Sequence, residues 1–186
     1  MLLTVDIGNT VVTLGVFDGD RLITTLRVAT DTRRLVDEYG ATLSNLLELK
    51  GAATSQITAA CLCSVVPPLT VVFEDVCRSF FGVDPLVVSA GVRTGLPILY
   101  DNPRDVGADR IADAVAAIHL YTPPIIVVDL GTATVFDAIS RNGEYLGGAI
   151  APGINLAADS LFFNTSQLRR VELIAPSSAI GRNTTS

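Results

Sequence analysis

Basic residues are scarce in this 186-residue chain: 13 lysines and arginines stand against 19 aspartates and glutamates, for a formal charge of −6 and a sequence pI near 4.6. That balance argues against a cationic nucleic-acid surface and against a polybasic membrane anchor. Arg169-Arg170 is too short a basic run to change this and reads as a solvated face. Long apolar runs are missing too. The most apolar stretch, ITAACLCSVVPPLTVVF, is interrupted by Pro67 and Pro68 and falls short of the roughly 20 residues needed to cross a bilayer. It predicts a strand followed by a proline-started helix, not a membrane span. The opening MLLTVDIGNT has no basic head or long apolar core before Asp6, unlike a secretory signal, so a cytoplasmic location is expected. Cysteine is limited to Cys61, Cys63 and Cys77, an odd number without zinc-site spacing, which reads as core thiols in a reducing compartment. The one histidine, His119, falls near the end of an apolar helix and reads as a packing or surface residue. Neither GxxxxGK[ST] nor GxGxxG occurs, so no P-loop or dinucleotide fingerprint is present.

What the chain does have is apolar content: 49% of it is hydrophobic and 17% charged, enough for a substantial core. Leu2 to Asp6 predicts a strand, Gly8-Asn9-Thr10 a tight turn, and VVTLGVF a second strand closed by a hairpin at Asp18-Gly19-Asp20. A third strand is expected over Arg21 to Val28. A helix follows over Val36 to Leu49, stopped by Lys50-Gly51. Strand character returns over Ile57 to Val66, helix over Pro68 to Phe81, strand over Leu86 to Val88, and helix over Asp105 to Tyr121.

The opening pattern then repeats. IIVVDLGTAT copies the strand, aspartate, glycine and hydroxyl-rich turn of LLTVDIGNT, with Asp129 matching Asp6 123 residues later and Gly131 matching Gly8. VFDAISRNGEYLGGAI continues the copy with a second strand, an Asn142-Gly143 hairpin and a third strand. Two related α/β lobes are therefore expected, residues 1–120 and 121–186, divided near Pro123-Pro124. Gly147-Gly148 and Pro152-Gly153, with Asn155, are expected to shape the exit of that hairpin and the start of a further helix. By comparison with the first copy, the second lobe is expected to be incomplete, short by roughly 60 to 70 residues.

A strand ending in Asp6-x-Gly8-Asn9-Thr10 suits a phosphate ligand, because glycine permits close backbone approach while N–H groups and Asn9 or Thr10 donate to oxygen. Asp6 would repel a bare phosphate, so its use is through a divalent cation or ordered water. The repeat at Asp129-x-Gly131-Thr132 turns one weak motif into two facing turns able to clamp a nucleotide. Between them lies Tyr100-Asp101-Asn102-Pro103-Arg104-Asp105-Val106-Gly107-Ala108-Asp109-Arg110. There Gly107 allows close approach, Asp109 can accept a hydroxyl proton, and the Arg110 fork can hold an anionic group.

The repeated Asp-Gly-hydroxyl pattern resembles the actin, sugar-kinase and heat-shock ATPase superfamily. That resemblance implies an α/β fold of two ribonuclease-H-like lobes, each a mixed five-stranded sheet flanked by helices, with ATP bound between them. DIGNT, YDNPRDVGADR, VVDLGTATVFDAI and GEYLGGAIAPGI, in that order over Asp6 to Ile154, more specifically resemble the type III pantothenate kinase family. The family resemblance implies ATP-dependent phosphorylation of pantothenate, the first step of coenzyme A synthesis. It implies an ATP loop of Asp6, Ile7, Gly8, Asn9, Thr10, Val11, Val12 and Thr13, with Thr132 also on ATP. It further implies a pantothenate site of Tyr100, Gly107, Ala108, Asp109, Arg110 and Thr184, with Asp109 as general base. Magnesium would accompany ATP, positioned partly by Asp6 directly or through water, and Asp129 would help hold a monovalent cation, K+ or NH4+. A homodimer is implied, with much of its interface on the second lobe. Thr13 stands where many relatives carry a basic residue, which shifts phosphate binding toward backbone donors and the metal. Two other readings compete: another small-molecule kinase of the superfamily, and a non-catalytic ATP-binding assembly protein.

Overall fold

A computed structural model describes residues 1–176 and 178–183. The first sheet is built from β1 (Leu2–Ile7), β2 (Val11–Asp18), β3 (Arg21–Ala29), β4 (Ala59–Ser64) and β5 (Pro85–Val87), in the spatial order β3-β2-β1-β4-β5. The first three strands form an antiparallel meander, and β4 and β5 join parallel to β1. The parallel joins require crossovers, supplied by helices α1 (Val36–Leu49) and α2 (Pro67–Phe81).

Alternation fixes which face is buried. In β1, Leu3, Val5 and Ile7 enter the core while Thr4 and Asp6 point to the opposite face. The helices supply the matching stripes: Tyr39, Leu43 and Leu47 from α1, and Leu69, Phe73, Val76 and Cys77 from α2. The first helix opens with the Glu38 carboxylate accepting from Leu35 N–H at 2.8 Å. The second starts on Pro67 and stops at Gly82, whose left-handed φ of 67° closes the C-terminus.

The second sheet is a meander of β6 (Ile125–Leu130), β7 (Ala133–Ile139) and β8 (Tyr145–Pro152), followed by α4 (Ile154–Asn164). Its opening repeats that of the first sheet, strand for strand. The loop ahead of the third helix adds a parallel bridge from Ile98 to Tyr145. Beyond α4, the described residues carry no further helix or strand. Ile126, Val128, Leu130 and Phe136 leave an apolar sheet face exposed, and no residue of α4 is buried.

Helix α3 (Ala108–Leu120) lies between the two sheets and contacts β4, β6 and β7. Its Ile111, Ala114 and Ala117 form a second core with Val106, Ile139 and Tyr145, joined by Val88, Leu96, Ile98 and Tyr100 from the preceding loop. The sequence repeat divides at about residue 120, but the second hydrophobic core reaches back across that point to recruit the connecting helix.

Several element ends differ from the sequence expectation: β1 and β3 run one residue further, to Ile7 and Ala29, α2 starts one residue earlier, at Pro67, and α3 stops one residue earlier, at Leu120. The helix expected from Asp105 starts at Ala108, because Pro103–Asp105 forms a separate 3₁₀ turn braced by the Asn102 side chain accepting from Arg104 N–H. The strand expected over Ile57 to Val66 is limited to Ala59–Ser64, since Ile57 caps another 3₁₀ turn and Val66 caps α2. The next strand begins one residue earlier than expected, at Pro85. Cys63 and Cys77 are buried free thiols, Cys61 is partly covered, and His119 is exposed in the last turn of α3. Among the described residues, no helix is long and apolar enough to cross a membrane.

Candidate active site

The two repeated turns face each other. In the first, Gly8 N–H donates to Val11 O at 3.1 Å, and the residue after β3 braces it: Thr30 Oγ1 donates to Gly8 O at 2.7 Å and Thr30 N–H to Thr10 O at 3.1 Å. In the second, Gly131 N–H donates to Ala133 O at 2.9 Å, closing a loop one residue shorter. The hydroxyls of Thr10 and Thr132 meet across the gap at 2.8 Å. Gly153 seats the start of α4 on the second turn, its N–H donating to Thr132 O at 3.1 Å. A β-carbon there would overlap the carbonyls of Gly131 and Thr132. The contact brings unpaired N–H groups of a helix N-terminus beside the turn, a favourable environment for phosphate oxygens.

The remaining residues expected in the ATP loop divide by side-chain direction. Ile7 and Val12 are buried in the first core, so they can meet a ligand only through their backbone. Val11 and Thr13 are half-buried at the start of β2, with Thr13 opposite Asp6 across the β1–β2 pair.

Carboxylates gather in the cleft from three elements: Asp6 from β1, Asp129 from β6, and Asp109 and Asp113 from α3. Desolvation by the groups around it in the cleft, then Asp109 and then Asp129, raise the pKa of the exposed Asp6 above its ordinary value. Asp113, exposed at its helix surface, is raised to about 6 by desolvation in the cleft and by the fields of Asp129, Asp109, Asp6 and Asp137. Asp113 is not among the residues expected at the site, although its spacing of four from Asp109 puts both on one helical face. Cys63 pairs with Asp6 in the β1–β4 register. Burial, followed by the charges of Asp6, Asp109 and Asp113, pushes its thiol up to about 12 and keeps it neutral. Among the described residues, no group of three or more His, Cys, Asp or Glu side chains forms a ready metal cage.

Gly107 and Ala108 form the N-terminal cap and first residue of α3, and a β-carbon at Gly107 would overlap Asp109 Oδ1. That oxygen accepts from Arg110 N–H at 2.8 Å. Arg110 turns inward and is only 8% exposed. Its Nε and Nη2 donate to Asp137 Oδ1 at 2.9 and 2.6 Å, and the Tyr145 hydroxyl donates to the same oxygen at 2.7 Å. Burial alone would lower the Arg110 pKa, but Asp137, Tyr145 and Tyr100 together outweigh it and the net shift is upward. The Tyr145 pKa is raised by burial and by Asp137. Tyr100 faces the Tyr145 ring at a centroid distance of 6.3 Å and lines a cleft of about 350 Å³ with Leu99, Asp101, Asn102, Asp105 and Leu146. Thr184, the remaining expected substrate residue, lies outside the described residues.

Both turns, Asp109 and Arg110 are thus recognisable in the sequence, whereas Thr30, Asp113, Asp137 and Tyr145 come to the site only in the folded chain. The VVDLGTATVFDAI and GEYLGGAI motifs contain Asp137 and Tyr145, but nothing in their spacing pairs them with Arg110, which precedes them by 27 and 35 residues.

The sequence profile of the family described as Type III pantothenate kinase matches residues 2–186. The chain is 52% identical over 184 residues to the type III pantothenate kinase of Geobacter sulfurreducens, covering 99% of this chain and 72% of that protein. It is also 52% identical over 184 residues to type III pantothenate kinase 2 of Symbiobacterium thermophilum, at 99% and 70% coverage. Among solved structures, the type II variant of the Aquifex aeolicus Ppx/GppA phosphatase matches with a TM-score of 0.51 and 18% identity, over 87% of this chain and 55% of that one. At that identity the likeness is one of fold, two lobes built on β-sheets with helices.

Proposed function

The chain belongs to the type III pantothenate kinase family, and from that membership we propose that it transfers the γ-phosphoryl group of ATP to the primary hydroxyl of pantothenate, giving 4′-phosphopantothenate. The observation that carries this reading is the meeting of the two Asp-Gly-hydroxyl turns beside the helix bearing Asp109 and Arg110.

The backbone donors of the Gly8 and Gly131 turns, with Thr10 and Thr132, hold the phosphates, and their 2.8 Å hydroxyl contact is exchanged for contacts to phosphate oxygens. Pantothenate enters from the Tyr100 cleft with its hydroxyl toward the γ-phosphate. Asp109 Oδ accepts the hydroxyl proton as the new O–P bond forms and the bond to the β-phosphate oxygen breaks, with ADP leaving. Arg110 orients the substrate's polar end. Position and electrostatics carry most of the rate in such a transfer, since the protein forms no covalent bond to the phosphoryl group.

The donor set fits cations. Hard carboxylate oxygens converge, and Asp6 and Asp113 are pushed toward protonation by desolvation and then by neighbouring carboxylates, a repulsion that positive charge relieves. No protein cage is prebuilt among the described residues, which suits magnesium carried with the nucleotide and keeping waters, held by Asp6 directly or through water. Asp129 is the residue for a monovalent cation, K+ or NH4+. Cations held by these residues would neutralise charge on the phosphate oxygens.

A cytoplasmic location accords with coenzyme A chemistry and with the free thiols. A homodimer accords with the exposed apolar face of β6, β7 and β8.

The test is ADP release from ATP, magnesium and a potassium salt, with and without pantothenate. Pantothenate-dependent release is expected, and Asp109→Asn lowers kcat by about 10²- to 10⁴-fold. ATP hydrolysis indifferent to pantothenate would refute the substrate, and full transfer by a folded Asp109→Asn protein would refute the base.

A further inference from the structure

Three donors converge on Asp137 Oδ1: Arg110 Nε, Arg110 Nη2 and the Tyr145 hydroxyl, at 2.9, 2.6 and 2.7 Å. Asp137 is 3% exposed and the Tyr145 side chain is fully buried. The network joins the first turn of α3, which carries Asp109, to β7 and to the first residue of β8. A buried ion pair is a poor source of net stability, because desolvating both charges offsets most of their attraction. What it does supply is direction. A guanidinium held along its Nε–Nη2 edge by a fixed carboxylate has lost the rotameric freedom of a long side chain, and its other edge is aimed away from that carboxylate.

The surroundings are shaped to this arrangement. A β-carbon on Gly148, which pairs with Asp137 across the β7–β8 ladder, would stand 2.7 Å from both Arg110 Nη2 and Asp137 Oδ1. Gly147 likewise leaves room for the Tyr100 ring, 3.3 Å from where its own β-carbon would stand. Tyr100 in turn borders both the open cleft and the Tyr145 ring.

We propose that Asp137, assisted by Tyr145, is a positioning residue that locks the Arg110 guanidinium in the orientation that receives the polar end of the substrate. The proposal deepens the kinase reading and rests on its assignment of Arg110 to pantothenate. Asp137 also neutralises the arginine, so Arg110 acts as an aimed hydrogen-bond donor more than as a free charge. A lysine, which lacks the planar fork, cannot take its place.

The test combines kinetics with a readout that needs no substrate. In Asp137→Asn the KM for pantothenate is expected to rise 10-fold or more, while the KM for ATP stays within 2- to 3-fold. Independently, the Arg110 Nε–H of the unmodified protein should give a slowly exchanging ¹⁵N-correlated NMR resonance, assigned by its disappearance in Arg110→Lys. In Asp137→Asn that resonance should exchange at least 10-fold faster. A folded Asp137→Asn protein with unchanged pantothenate KM, with both KM values raised alike, or with the slow resonance retained would overturn the proposal.

Should Asp137→Asn not fold, Tyr145→Phe decides, since it keeps the buried ring and the ion pair while deleting one donor. It is expected to raise the pantothenate KM about 3-fold and to speed exchange of the Arg110 Nε–H. No change in either would overturn the role of the network. Unmodified protein that shows the slow resonance yet makes no ADP with pantothenate would refute the substrate assignment while supporting the lock itself.

Discussion

Gly148→Ala isolates the packing around the buried arginine from ordinary backbone effects, because the two predict opposite signs. On entropy alone, replacing a strand glycine by alanine stabilises by about 0.4–1 kcal/mol through the unfolded chain. Sterics predict the reverse. The added β-carbon would overlap the Phe136 carbonyl and lie 2.7 Å from Arg110 Nη2 and Asp137 Oδ1. Neither neighbour yields easily: the carbonyl belongs to the β7–β8 ladder, and the two side chains are held at 2.6 Å by their own ion pair. Overpacking of this kind costs about 1–3 kcal/mol, and disruption of a buried pair about 3–5 kcal/mol. With partial relief by separation of the pair and with the entropic gain subtracted, the net expectation is a loss of about 3 kcal/mol. For a chain of this size that is a fall in Tm of roughly 6–12 °C. Thermal unfolding followed by circular dichroism and by tyrosine fluorescence, in a protein without tryptophan, measures it. A Tm equal to or above that of the unmodified protein would refute the steric reasoning and, with it, the need for glycine beside the Arg110–Asp137 pair.

Two further outcomes follow from the cleft. Asp113 has a folded-state pKa of about 6 against an ordinary value of 3.8, so the folded state holds its proton more tightly than the unfolded state between those values. Its contribution to stability is fully present below about pH 3.8 and is lost as the pH rises through about 6. Asp113→Asn is therefore expected to raise Tm at pH 7, with the gain shrinking toward pH 4; a gain independent of pH would refute the electrostatic account. Gly153→Ala forces a β-carbon against the carbonyls of the second phosphate turn. It is expected to raise the KM for ATP about 10-fold, the loss of about one hydrogen bond to a charged group, and to leave that for pantothenate nearly unchanged. An unaltered KM for ATP would remove α4 from the nucleotide site.

Much of the site was legible because it is written in local, repeated grammar. The strand that ends in aspartate, the glycine turn and the hydroxyl after it recur at Asp6-Gly8-Thr10 and Asp129-Gly131-Thr132, and a turn depends on its own few residues. Helix α2 was equally readable, with proline at its start and Gly82 at its end. The start of α3 was not, since the acidic and polar residues around Asp105 suit both a helix N-terminus and the separate 3₁₀ turn that Pro103 opens. Asp113 could have been found from its spacing to Asp109, but its chemistry depends on Asp6 and Asp129, which arrive from two different sheets. Arg110 shows the limit most plainly. Its fork suits an anion of any origin, and nothing in VGADR reveals that a protein carboxylate already takes one edge.

By itself, then, the sequence determined the elements, the duplicated turns and the chemical character of the residues near them, because alternation, helical spacing and turn chemistry act over a few bonds. Only the tertiary structure decided that α3 lies between the sheets, that its carboxylates meet Asp6 and Asp129, and that Asp137 and Tyr145 hold Arg110. Those facts depend on which apolar faces bury one another across long separations. A hydrophobic stripe states that a face must be covered and leaves open what covers it.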